Sequence, residues 1–326
     1  MQQWAIGVDL GGTKIEVAIV SSQGELLDKL RIPTISSQGP DKIIENIHDT
    51  INDLSKRHSD ITLSVVGIGV AGQIKKDTGI VIDAPNLKWH NVDLQTQLAN
   101  KLQKPVAVCN DVKAAAWGEL LCGAGVGCNN LVCIFVGTGI GGAIVCNGKM
   151  LDGCNNTAGE IGHMIVQLHG PLCHCGNKGC LEALASGWAL ERDARLTVQN
   201  DKAGGKMLLD IAEGNINAIT GETVTMAAQQ GDPLANSLIN NMADALIAGV
   251  TSVVNMIGPC RVILGGGIIK GIPQLITQVE EGVKRQALKA AIVAIEILPA
   301  KLQDDSGVIG AAAYAFETLK KVPYDH

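Results

Sequence analysis

Two stretches of this chain share one design. "WAIGVDLGGTKIEVAIV" (residues 4–20) and "LVCIFVGTGIGGAIVC" (residues 131–146) each run as an apolar strand, a glycine turn and a returning strand. In the first, Ile15, Val17 and Ile19 alternate with Lys14, Glu16 and Ala18, a period of two that predicts a strand and not a helix. In a Walker loop or a dinucleotide-binding turn the glycines lead into a helix, so neither motif fits. In the second, "LVCIFV" is the outgoing strand, "GTGIGG" the turn and "AIVCNG" the return. The two hairpins lie about 125 residues apart, which suggests a duplicated α/β unit, although glycine hairpins are common enough to coincide.

Helical patterns fall between these markers. Residues 39–58 place Ile43, Ile44, Ile47, Ile51 and Leu54 on one stripe with charges opposite. "DVKAAAWGELLCGAG" begins at Asp111 in a capping position and ends in glycines. "TMAAQQGDPLANSLINNMADALIAGVTSVVNMIG" predicts a long helical region interrupted near Gly231, Asp232 and Pro233. "RVILGGGI" is a buried strand breaking into three glycines, followed by a helix through Glu280, Glu281 and Lys284. Strands alternating with helices imply an α/β architecture. No Pro- or Ser-rich linker separates the halves, so two domains meeting at a cleft are expected.

A length of 326 residues suits two domains, and 46% hydrophobic content fills their cores. With only 2% aromatic residues, those cores rely on Val, Ile, Leu and Ala. A net charge of −6 argues against a nucleic-acid partner. The N-terminus has no basic region or cleavage site of a secretory signal. The uncharged run over 131–146 is shorter than the roughly 20 residues a spanning helix needs and is glycine-rich at its centre. The chain therefore reads as soluble and cytoplasmic, with no membrane partner.

In that compartment the ten cysteines are thiols or metal ligands before they are disulfides. Cys109, Cys133 and Cys146 sit in strand-like runs as small buried hydrophobes. Cys173, Cys175 and Cys180 cluster outside any apolar run, in the spacing C-x-C-x₄-C, compact enough to wrap a tetrahedral zinc ion. His163, His169 and His174 are available as a fourth ligand. A redox switch would favour a C-x-x-C pair.

Other constellations suit a nucleotide and a sugar. Glycine turns let successive backbone N–H groups face an anion. Asp9, Gly11, Gly12, Thr13 and Lys14 add a hydroxyl and a cation for phosphate, with Asp9 placed to reach a magnesium ion. Gly137, Thr138 and Gly139 repeat the theme. Gly265, Gly266 and Gly267 open a helix where backbone can lie flat against a base. Asn110 and Asp111 stand where a strand becomes a helix, the usual place for ligand contacts in α/β sheets. From spacing alone Asp111 reads first as a helix cap, and a proton-accepting role is compatible with it. Glu160, His163, Glu182 and Asn86 offer hydrogen-bond partners for sugar hydroxyls, or are solvated loop residues.

With "DLGGTK", "GVAGQI", "APNLKW", "NDVKAAAWGE", "GTGIGGAIV", "AGEIGHM", "CHCGNKGCLEALASG" and a late "LGGG", the sequence resembles the ROK family of sugar kinases (repressors, open reading frames, kinases) over essentially its whole length. The resemblance implies an actin-like ATPase (ribonuclease H-like) fold of two α/β domains. They are placed at 1–117 with a C-terminal helix over 305–326, and at 118–304. It implies Asp111 as general base, with Gly72, Asn86, Asn110, Glu160, His163 and Glu182 at the sugar. Gly11, Gly12, Thr13, Lys14, Thr138 and Gly139 would face the phosphates, and Gly266 and Gly267 the adenosine. His163, Cys173, Cys175 and Cys180 become the ligands of a structural zinc.

The implied reaction is ATP-dependent phosphorylation of a hexose, with Mg²⁺, by a homodimer or homotetramer. The motifs look most like those of bacterial-type glucokinases, so glucose at its 6-hydroxyl is expected. Fructose, N-acetylglucosamine and N-acetylmannosamine kinases share nearly all of them, and a non-catalytic sugar sensor is a further alternative. Family repressors carry an extra N-terminal helix-turn-helix domain, for which the early phosphate strand leaves no room.

Overall fold

The computed structural model describes residues 2–319, so the stretch 320–326 of the expected C-terminal helix lies outside the described residues. The chain forms two compact units. One holds the residues up to 128, the segment 150–158 and the chain from 301 onward; the other holds 129–149 and 159–300. The sequence had suggested divisions at 117/118 and 304/305.

The first unit contains β1 (Trp4–Leu10), β2 (Lys14–Ser21), β3 (Leu26–Pro33), α1 (Gly39–Arg57) and β4 (Leu63–Val70). A small antiparallel sheet follows, of β5 (Gln73–Lys75), β6 (Ile80–Ala84) and β7 (Trp89–Asp93), and then α2 (Leu94–Leu102), β8 (Val106–Asn110) and α3 (Asp111–Cys122). The main sheet has the order β3-β2-β1-β4-β8. β1 pairs antiparallel with β2 and parallel with β4, and β4 is parallel to β8.

The second unit contains β9 (Leu131–Val136), β10 (Ile140–Cys146), β11 (Lys149–Met150), α4 (Glu182–Ala185), α5 (Gly187–Asn200), α6 (Lys206–Ile211) and α7 (Gly221–Gln229). It continues with α8 (Pro233–Ile257), β12 (Arg261–Gly265), α9 (Gly267–Gly271), α10 (Gln274–Gln286) and β13 (Glu296–Pro299). Its sheet has the order β11-β10-β9-β12-β13, with β9 antiparallel to β10 and parallel to β12, and β12 parallel to β13. Each glycine hairpin thus sits at the same place in its sheet, as a duplicated unit requires. The second turn is shorter than "GTGIGG", because Ile140, Gly141 and Gly142 already belong to β10.

The first sheet has a face of large side chains and a face of small ones. In β1 the residues Ile6, Val8 and Leu10 pack into one core with Ile43, Ile44, Ile47 and Ile51 of α1. Ala5 belongs to a second cluster, with Val308, Ala312 and Phe316 of the C-terminal helix Ser306–Leu319. β4 repeats the pattern, with Val66 and Ile68 on the α1 side. A β-carbon on Gly7 would overlap the carbonyl of Val308, and one on Gly67 the carbonyl of Ala311. The small residues exist because helix backbone lies directly on the sheet. Both faces of β2 are covered, its Ala18 and Val20 by the C-terminal helix cluster, and even Glu16 is buried.

α8 is long and apolar enough to cross a membrane by length and composition. Here Leu238, Met242, Leu246, Val250 and Val254 bury its stripe in the second core. Asp232 caps its start, accepting from the Ala235 amide at 2.8 Å, and Pro233 opens it.

Gly67→Ala forces the C-terminal helix off the sheet. We expect a loss of about 3 kcal/mol in unfolding free energy, the upper end of overpacking costs, measured by urea denaturation.

Candidate functional site

In the first unit, β1 delivers Asp9 to the end of its strand. The turn beyond it closes through the Gly11 amide, which donates to the Lys14 carbonyl at 3.0 Å. Thr34 fastens the turn from outside: its amide donates to the Thr13 carbonyl at 2.9 Å and its hydroxyl to the Gly11 carbonyl at 2.8 Å. Gly12 packs so closely on the turn Pro85–Leu87 that a β-carbon would lie 2.7 Å from Cβ of Asn86. The Lys14 ammonium pairs with Glu16 at 2.5 Å. Asp9 lies over Gly307, where a β-carbon would stand 2.8 Å from its carboxyl. Burial, and then the negative charge of Asp111, push the Asp9 carboxyl up to about 6, against the opposing pull of Lys14.

At the end of β8 the cap is Asn110, which corrects the reading of Asp111 as the capping residue. The Asn110 side-chain oxygen accepts from the amides of Val112 at 3.0 Å and Lys113 at 3.2 Å. Its Nδ2 donates to the Gly72 carbonyl at 3.2 Å and to Oδ1 of Asp111 at 3.0 Å. Asp111 is the first residue of α3, at the positive end of the helix dipole. One amide side chain therefore starts the helix, holds the strand end that carries Gly72, and orients the carboxylate. Gly72 has no room for a side chain, since a β-carbon would lie 2.6 Å from the Asp83 carbonyl.

Two residues of α3 escaped the sequence reading. Lys113 is buried, and its ammonium reaches Asn156 Oδ1 at 2.5 Å, the Asn156 carbonyl at 3.1 Å and Asp152 at 3.3 Å. Asn156 in turn donates to the Ile74 carbonyl at 2.9 Å. This lysine, with Lys76 paired to Asp152 at 2.7 Å, ties the segment 150–158 into the first unit. Glu119 is fully buried and accepts from the amides of Ala124, Lys301 and Leu302 at 2.7, 3.1 and 2.8 Å. A cation and a carboxylate on the apolar stretch that follows Asp111 in "DVKAAAWGELL" were the available signals.

In the second unit, the turn Gly137-Thr138-Gly139 is held by the start of α5. The Gly187 amide donates to the Gly137 carbonyl at 2.8 Å and the Trp188 amide to the Thr138 carbonyl at 3.2 Å. Glu182 supports it too, accepting from the Ile140 amide at 2.9 Å. Gly137, Thr138 and Gly267 line one cavity of about 680 Å³, with Trp188, Glu191 and Thr220 among its other walls. Gly265 and Gly266 pack against β9 instead. A β-carbon on Gly265 would lie 2.7 Å from the Phe135 ring, and Gly266, at φ +92°, would overlap Val136. Trp188, Glu191 and Thr220 lie in no glycine motif and could not be read from the sequence.

The "AGEIGH" segment rests on β10. Gly142 leaves 2.6 Å for a β-carbon below the Gly159 carbonyl, and Gly162 lies flat against the Ile140 carbonyl. This seats the short helix Ile161–His163, with Glu160 preceding it as an exposed residue. The His163 ring turns Nδ1 toward Cys173 Sγ at 3.8 Å, and Cys175 Sγ lies 3.7 Å from Cys180 Sγ. All four ligand atoms fall within 4.8 Å of one another. A tetrahedral zinc with Zn–S bonds of about 2.3 Å sets its sulfurs about 3.8 Å apart, so the donor set fits. Burial pushes the Cys180 thiol up to about 12 and raises Cys173, whereas the Asn177 amide lowers exposed Cys175. Buried thiols of this kind ionise when a cation compensates them. His174 is not part of the group; it stacks on Trp188. His169 also lies outside it.

The ROK family profile matches residues 5–318. The glucokinase of Halalkalibacterium halodurans is 36% identical over 311 residues, covering 94% of this chain and 93% of that protein. The structure of a ROK family glucokinase from Streptomyces griseus, in complex with glucose and AMPPNP, aligns with a TM-score of 0.83 at 33% identity, over 96% of this chain and 99% of that one. The ROK hexokinase of Thermus thermophilus aligns with a TM-score of 0.84 at 30% identity, over 98% of this chain and 100% of that one. The chain belongs to the ROK family. Its fold is the actin-like ATPase fold that the resemblance implied.

Asp9 carries a stability cost with a defined pH window. Its folded pKa of about 6 exceeds the ordinary 3.8, so the favourable contribution is complete below pH 3.8 and is lost as pH rises through 6. Asp9→Asn should therefore raise the melting temperature at pH 7.5, with the advantage shrinking as the pH falls toward 4, in paired thermal melts.

Proposed function

We propose that this protein transfers the γ-phosphoryl group of ATP to the 6-hydroxyl of glucose. The carrying observation is the Asp111 carboxylate, aimed by Asn110 at the start of a helix, in a chain similar over nearly its full length to glucokinases. Asp111 accepts the proton of the sugar's primary hydroxyl as that oxygen attacks the γ-phosphorus. The O6–P bond forms, the bond from phosphorus to the β-bridging oxygen breaks, and ADP leaves.

Gly72, Asn86, Asn110, Glu160, His163 and Glu182 are assigned to the sugar. His163 has Nδ1 turned to the thiols, which leaves Nε2 for a hydroxyl. Gly11, Gly12, Thr13 and Lys14 are assigned to phosphate, as are Gly137, Thr138 and Gly139, and the 680 Å³ cavity beside Thr138, with Gly267 in its wall, takes the nucleoside. Asp9 would hold Mg²⁺, whose charge offsets that of the phosphates. Zinc on His163, Cys173, Cys175 and Cys180 would supply fixed geometry to the loop. A cytoplasmic enzyme suits this substrate pair.

ADP release measured across glucose, fructose, N-acetylglucosamine and N-acetylmannosamine tests the assignment, and glucose should give the highest kcat/KM. Asp111→Asn should lower kcat by about 10²- to 10⁴-fold while calorimetry finds glucose binding nearly unchanged. Activity that survives this substitution removes Asp111 as the base. Metal analysis should return one zinc per chain, and Cys175→Ser should lower zinc content, melting temperature and glucose affinity together.

A further inference from the structure

Trp188 borders the 680 Å³ cavity, beside Gly137, Thr138 and Gly267. Its backbone amide donates to the Thr138 carbonyl at 3.2 Å, so its position and that of the turn are tied. The imidazole of His174 stacks on its indole, with ring centroids 4.2 Å apart and planes 25° from parallel. The guanidinium of Arg192 lies 5.1 Å from the ring centroid and is itself held by the Ala183 carbonyl at 2.9 Å. Neither the indole Nε1 nor Arg192 Nη1, both buried, makes a hydrogen bond among the described residues. Stacking, packing on Cys173, Cys180 and Ala183, and a backbone bond hold this ring.

His174 is exposed and sits between Cys173 and Cys175. Whatever fixes those two sulfurs fixes the backbone that carries the imidazole. One indole thus forms part of the cavity wall and is also the surface on which the Cys/His loop rests.

We propose that Trp188 is a positioning residue that couples metal occupancy of the His163–Cys173–Cys175–Cys180 group to nucleotide binding in the cavity beside Thr138. The proposal rests on the reading of that cavity as the nucleotide site. With the metal bound, His174 is held over the indole, and the indole keeps the wall and the Thr138 turn in place. With the metal removed, the loop no longer holds the imidazole there. The aromatic contact is lost, and nucleotide affinity falls with it.

Calorimetric titration with a non-hydrolysable ATP analogue, and separately with glucose, tests the coupling in zinc-loaded and chelator-treated protein. Trp188→Ala should weaken the analogue about tenfold, a lost aromatic contact, and leave glucose within about twofold. Trp188→Phe, which keeps a stacking face, should bind the analogue nearly as the natural protein does. His174→Ala, a change on an exposed loop that leaves the core intact, should weaken the analogue about threefold with zinc still bound. Chelation should weaken the analogue about fivefold in the natural protein and less than twofold in Trp188→Ala, the non-additivity of a shared contact. It should also shift tryptophan emission in the natural protein and not in Trp188→Phe. Equal chelation effects in the natural protein and Trp188→Ala would overturn the coupling, as would unchanged analogue binding in both Trp188→Ala and His174→Ala. Failure of the natural protein to bind the analogue at all would instead overturn the nucleotide reading of the cavity.

Discussion

The backbone of the C-terminal helix lies in direct contact with the first sheet, and most of that unit's chemistry follows from the contact. Gly7 and Gly67 give way to the carbonyls of Val308 and Ala311, Gly310 gives way to that of Ala114, and Gly118 faces Gly310 in turn. Close packing at contact distance leaves little freedom to slide. It sets Gly307 under the Asp9 carboxyl and α3 at a fixed height above β4, where Gly69 allows the Asp111 backbone to approach. The two carboxylates are close enough that the charge of one raises the pKa of the other. The sheet face that carries this chemistry is rich in alanine and glycine, with Val20 and Val65 its larger members, because a helix had to be admitted there.

Much of this was legible in the sequence. The two hairpins announced themselves through glycine turns between strands, and the antiparallel pairing within each follows from them. The stripe of α1 and the break before Pro233 were readable because helical periodicity and proline chemistry are local. What failed was everything that depends on a partner distant in the chain. The alternation in β2 marked a strand, but nothing local announced that Ala18 and Val20 meet residues nearly three hundred positions away. Asp111 looked like a cap because capping residues are read from type, and Asn110 is an equally good type one place earlier.

The site divided in the same way. Glycine motifs and the cysteine spacing exposed the turns and the knuckle before any coordinates were needed. The choice among His163, His169 and His174 was open on spacing, and the family resemblance assigned His163. In the fold, Gly159 and Gly162 lie against β10, and His163 Nδ1 stands 3.8 Å from Cys173 Sγ. Lys113 and the cavity walls carry no signature, since a buried lysine declares itself only when its acceptors, Asp152 and Asn156, are in place.

The chain passes between its units at 128/129, 149/150, 158/159 and 300/301. On the ribosome, every residue of the second unit is made before Ser306. The first unit must wait for Ser306–Leu319, leaving the glycine-bearing face of its sheet uncovered until the second unit has been made. The half of the protein whose synthesis starts first is therefore the last to close its core, and carries the longer exposure to misfolding.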